Sequence, residues 1–96
     1  MEVLFVIYEE SFESEVSALI GRAMVVARYS RIDHVIGARM AEQEQETGYF
    51  TDRRNQMILA IAEPATIARL VEDLRALRQR KGHGLRAFVM PAATVI

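Results

Sequence analysis

The segment from residue 78 to residue 86 gathers the side chains best suited to binding chemistry: Arg78, Arg80, Lys81 and Arg86, with Gly82 and Gly84 among them. Cations beside glycines are the ingredients of an anion site. Glycine lets a backbone approach a phosphate closely, and arginine and lysine add charge-assisted hydrogen bonds. The same residues also describe an ordinary helix end. Gly82 would then be the C-cap, with the cations solvated around it and favoured there by the helix dipole. Both readings stand at this point. Of the twelve basic residues only Lys81 is lysine, and arginine is the cation that grips carboxylate or phosphate with two parallel hydrogen bonds.

Other candidates are sparser. His34 and His83 are the only histidines. They could ligate a metal across a subunit interface together with Glu42, Glu44 or Glu46, or they could be unrelated surface residues. The alternating Glu42, Glu44 and Glu46 read as a solvated loop tip or an acidic contact surface. Tyr49 and Phe50 read as a contact pair for a neighbour or partner, and no sequence context around Tyr49 supports its modification. Serine, histidine and aspartate occur, but nothing spaces them as a nucleophilic triad, and no catalysis is expected. With no cysteine, a disulfide framework, thiolate zinc sites and thiol redox chemistry are excluded.

These residues need a scaffold, and the composition allows one. Ninety-six residues with 51% apolar content are enough for a single domain, 1–96, with an ordinary hydrophobic core. The first apolar run, Val3 to Tyr8, is too short for a signal peptide or a membrane span, so a soluble cytoplasmic protein is expected. The net charge of −1 argues against a general nucleic-acid binder. The charge is nevertheless uneven. Residues 1–48 hold nine acids against four arginines, a balance of −5; residues 49–96 hold eight basic residues against four acids, a balance of +4.

Two stretches are apolar at successive positions, Val3 to Tyr8 and Met57 to Ala62. Strands of that pattern are covered on both faces and lie centrally in a sheet. After the first, Ser11 is the expected N-cap of a helix with Glu13 and Glu15 in its first turn. Phe12, Val16, Leu19, Ile20 and Ala23 form its apolar face, and the helix is expected to fray around residues 22–25. A strand of mixed polarity is expected from Tyr29 to Ile36, suited to a sheet edge. Pro64 opens a second helix, with a stripe of Ile67, Leu70, Val71, Leu74 and Leu77. A last strand runs from Leu85 to Met90, ended by Pro91.

The order β-α-β-β-α-β is the split βαβ arrangement of an α+β, ferredoxin-like fold: a four-stranded antiparallel sheet with two helices on one face. That topology makes the first and third strands central, in agreement with their two-sided apolar pattern. It also leaves one sheet face open, built from either Leu4 and Val6 or Phe5 and Ile7 together with one register of Met57 to Ala62. An apolar face of that size marks an interface, so oligomerisation is expected to bury it. Residues 37–55 form an unusually long polar connection between the second and third strands, and a connection of that length in a small domain is a functional or disordered one.

Absent features narrow the choice within this fold. No cysteine pair is present for a copper chaperone. The third strand has no aromatics to stack RNA bases. Glu9-Glu10-Ser11-Phe12-Glu13 is acidic where an acylphosphatase carries a glycine-rich anion loop. What remains resembles the PII signalling family, and its divergent PII-like branch in particular. Val35-Ile36-Gly37 resembles the V-x-G that opens that family's long T-loop, residues 38–55 occupy the T-loop's place, and Lys81-Gly82-His83-Gly84-Leu85-Arg86-Ala87-Phe88-Val89 resembles the B-loop and the strand after it.

The resemblance implies a homotrimeric, non-enzymatic regulator. It would have no resident cofactor, and its effector, an adenine nucleotide foremost, would bind in clefts between subunits. The positions that carry over to effector binding are Gly37, Arg39, Arg80, Lys81, Gly82, Gly84 and Arg86. A membrane transporter or enzyme would be the target, engaged through residues 38–54. Ala38-Arg39-Met40-Ala41 lacks the glycine and glutamine with which better-known relatives hold nucleotide, magnesium and 2-oxoglutarate, and Gly84 to Phe88 is one residue longer than the usual B-loop. A metal-responsive accessory protein of a metal-transport system, reading metal through His34 or His83, and a small dimeric ferredoxin-like enzyme are the alternatives.

Overall fold

The computed structural model describes residues 1–23, 29–36 and 54–96. Its elements are β1 (Glu2–Glu9), a 3₁₀ turn (Glu10–Phe12), α1 (Glu13–Ala23), β2 (Tyr29–Ile36), β3 (Arg54–Ala62), α2 (Pro64–Lys81) and β4 (Leu85–Pro91). The strands form one antiparallel sheet in the order β2-β3-β1-β4. The α+β, ferredoxin-like arrangement is therefore present, with the two fully apolar strands at the centre.

Register decides which side chains meet the helices. Leu4 lies opposite Ala60 and Val89, Val6 opposite Ile58 and Ala87, and Tyr8 opposite Gln56 and Leu85. Leu4, Val6, Tyr8, Ile58, Ala60 and Ala62 are buried on that face against Phe12, Val16, Ile20, Ile67, Leu70, Leu74 and Leu77. The α2 stripe lies as its spacing predicts, with Val71 half-buried at its margin, and Leu19 and Ala23 border the core from α1. Of the two registers open to the sequence, the structure takes the one that turns Phe5 and Ile7 to the other face.

One local expectation is corrected. Ser11 does not cap a helix: it lies exposed inside the 3₁₀ turn, and α1 begins at Glu13. The tight turn follows β1 without a gap and carries Phe12 straight into the core, where the ring is 6% exposed. A serine cap would need an extended residue there, and the chain is already coiled. Pro91 ends its strand as expected, one residue beyond Met90. It pairs with Glu2 as the last residue of β4, and an edge strand tolerates the missing N–H because one flank has no ladder partner. The Ala92 N–H then donates to the Met1 carbonyl at 3.0 Å.

β2 is an edge strand, as its polarity predicts. Its register shifts between Ile32 and Val35, and His34 inside the irregularity has φ of 59°. Histidine is among the residues that tolerate this left-handed geometry. The bulge, with Arg31 and Asp33 alongside, blunts this edge against stray strand pairing.

Candidate functional site

The junction between α2 and β4 carries most of the described candidates. α2 ends as its glycine predicts: Gly82 has φ of 82°, and its N–H donates to the Arg78 carbonyl at 2.7 Å. Arg78 is part of the scaffold, since its Nε donates to the Leu85 carbonyl at 2.9 Å and ties the last helical turn to β4. Gly84 has φ of 80°. A Cβ built there would lie 2.8 Å from both a Glu9 carboxylate oxygen and the Phe12 ring. Only glycine lets the 82–84 turn sit this close to the start of the 3₁₀ turn.

Contacts across that approach sew the two segments together. The Glu9 N–H donates to the Gly84 carbonyl at 2.9 Å. His83 places Nδ1 3.0 Å from the Lys81 carbonyl, which that nitrogen meets as donor, and Nε2 3.4 Å from Glu9 Oε2. The His83 ring meets Phe12 edge-on, with centroids 6.1 Å apart. Lys81 Nζ lies 5.2 Å from the Phe12 ring centroid and 3.1 Å from Glu15 Oε1, while Arg80 reaches the other Glu15 oxygen at 4.0 Å.

The predicted anion-binding residues are thus brought together only in part. Arg80, Lys81, Gly82 and Gly84 share the junction. Arg86 pairs with Ile7 and belongs to the open sheet face, away from the helix layer. Gly37 and Arg39 lie outside the described residues, as do Glu42, Glu44, Glu46, Tyr49, Phe50 and nearly all of the predicted target-binding loop. Sequence reasoning missed the acidic partners Glu9 and Glu15. The signal was available in the opposite charge balance of the two halves of the chain.

The loop end of the sheet holds a second polar group. Tyr8 and Gln56 face each other across β1 and β3, and both are buried. Among the described residues, neither the Tyr8 hydroxyl nor Gln56 Oε1 has a hydrogen-bond partner. Desolvation pushes the Tyr8 pKa up to about 12, opposed by the positive charge of nearby Arg31. Arg31 pairs with Glu13 and, at 3.1 Å, with Asp33, linking β2 to the first turn of α1. Asp33, then Glu13, hold the Arg31 guanidinium above its usual pKa.

The two histidines cannot share a metal within one chain. His34 belongs to one edge strand, and His83 precedes the other. Three inter-strand spacings separate those edges, about 14 Å. Among the described residues no cluster of three ligating side chains forms. The space between sheet and helices, where a dimeric-barrel enzyme would hold its substrate, is occupied by the core side chains.

The fold is that of the PII-like proteins. Similar structures include apo CPII from Thiomonas intermedia K12, a nitrogen regulatory PII-like protein, at 20% identity and TM-score 0.70, with 93% of this chain and 85% of that one covered. CPII bound to ADP, AMP and acetate matches at 19% identity and TM-score 0.68, over 92% of this chain and 81% of that one. A DUF3240 family protein from Shewanella baltica OS155 matches at 14% identity and TM-score 0.69, over 98% of this chain and 91% of that one. No family model and no curated protein matches the chain. No helix among the described residues is long and apolar enough to cross a membrane.

Proposed function

We propose that this chain is a divergent PII-like regulator that binds an anionic effector, an adenine nucleotide foremost, and passes its occupancy to a protein target. One observation carries the reading: a PII-like fold, shared with a protein seen bound to ADP and AMP, presents Arg80 and Lys81 beside Gly82 and Gly84 at the α2–β4 junction. The open face supports an oligomer, a homotrimer in this reading. Val3, Phe5, Ile7, Met57, Leu59, Ile61, Phe88 and Met90 all lie on it by register. Arg86 emerges from the same face, so packing of chains there brings it to a cleft between subunits. Gly37 and Arg39, at the root of the long connection, complete the proposed site.

The reading needs no covalent chemistry. The effector acts by binding one state of residues 38–54 better than another, since a ligand of equal affinity for both shifts nothing. A transporter or enzyme recognises one of those states. Calorimetry with ATP, ADP, AMP and cyclic nucleotides tests the effector class. At least one of them should bind, and Arg80→Ala with Arg86→Ala should weaken that binding at least tenfold. Absence of heat with all of them overturns the nucleotide assignment, and unchanged affinity in the double variant overturns the site.

A further inference from the structure

We infer that Glu15 is an internal competitor for the anion at Arg80 and Lys81, so that effector binding begins with its displacement. The inference rests on the anion-site reading above and adds its regulation. Both oxygens of the Glu15 carboxylate are engaged, one 3.1 Å from Lys81 Nζ and the other 4.0 Å from Arg80. A carboxylate spanning two cations occupies the place that a phosphate oxygen pair would take.

The two sides of this contact differ in freedom. Lys81 Nζ sits over the buried Phe12 ring at 5.2 Å, and the backbone beside it is fixed by the Gly82 cap and by His83 on the Lys81 carbonyl. The lysine is held ready. Glu15 stands in the first turn of α1 with a side chain 39% exposed, and rotation about its own bonds carries the carboxylate into water. An incoming anion therefore meets a lysine already oriented and has only to replace a single carboxylate. The contact is a threshold: it lowers affinity for every anion and offsets one of the two positive charges when the site is empty. The Glu9–His83 contact lies next to it on the same turn and holds the turn in place as Glu15 leaves.

Exposed ion pairs are worth up to about a factor of five in an equilibrium constant, and that is the expected size of the effect. Glu15→Gln keeps the shape and removes the charge. ADP titrated calorimetrically at low salt should bind Glu15→Gln about fivefold more tightly than the wild-type chain. The gain should vanish in an Arg80→Ala, Lys81→Ala background. Equal, measurable affinity in wild type and Glu15→Gln overturns the competitor role and leaves the anion site standing. A gain that persists without Arg80 and Lys81 also overturns it, because the effect is then one of net charge alone. No binding to either form removes the effector reading and this inference with it.

Discussion

Tyr8 carries a hydroxyl that the fold buries without giving it a partner among the described residues. A buried hydroxyl left unpaired costs about 1–3 kcal/mol, so Tyr8→Phe should stabilise the protein by about 1 kcal/mol at neutral pH. Urea unfolding at pH 7 reads this directly, and a loss of stability would mean that the hydroxyl is satisfied. The raised pKa adds a pH test. The unfolded phenol loses its proton near the ordinary tyrosine value of 10, while the folded one holds it to about 12. The native state therefore binds more protons in that window, and stability falls as pH rises from 10 to 12. The fall should be on the order of 2 kcal/mol, and Tyr8→Phe should remove that component. At Gly84, alanine must accept φ of 80° and press on Glu9 and Phe12. Gly84→Ala should cost about 2 kcal/mol or more, whereas Gly82→Ala, with open space around it, should cost about 1 kcal/mol from the backbone alone. Equal costs in denaturant unfolding would mean that the close approach at Gly84 relaxes freely.

At the scale of elements, α2 shows what packing contributes. Leu70 is fully buried, whereas Val71 lies half-buried at the margin of the same stripe. Leu70→Ala should cost about 3 kcal/mol and Val71→Ala about 1 kcal/mol, a contrast readable by urea unfolding. That helix was legible because three independent signals coincide on it: Pro64 at the start, the apolar stripe, and Gly82 past the end. β1 and β3 were legible for a similar reason, since continuous apolar runs and the topology agree on their central place. The start of α1 was not. Ser11 has the chemistry of a cap, but the burial of Phe12 one residue later pulls the chain into a 3₁₀ turn, and that tertiary demand leaves no local trace. Gly84 was legible as special from its place between cations, but its close neighbours Glu9 and Phe12, which a Cβ there would meet, were not. Distance in sequence hides such partners, because Glu9 and Gly84 meet only once β1 and β4 pair.

For the whole molecule, the charge imbalance between the halves acquires a physical role. Glu9 and Glu15 from the acidic half face His83, Lys81 and Arg80 from the basic half, which docks the α2–β4 turn onto the β1–α1 segment. Among the described residues the open sheet face has no such internal partner. Phe88, Met90, Ile61 and Ile32 on it are 44–50% exposed, a contiguous apolar surface of the kind that marks an interface. Val89 gives a control, because it belongs to the same edge strand and is 43% exposed, yet it lies on the helix-side face opposite Leu4. In the proposed trimer, Phe88→Asp places a charge in a desolvated contact, at a cost of several kcal/mol, and should convert the assembly to monomers with the far-ultraviolet circular dichroism retained. Val89→Asp should leave the assembly intact. Sedimentation equilibrium distinguishes the outcomes. A wild-type chain that sediments at its own mass removes the oligomer from the proposed function, and dissociation by both aspartates places the contact along the edge of β4 instead of on the open face.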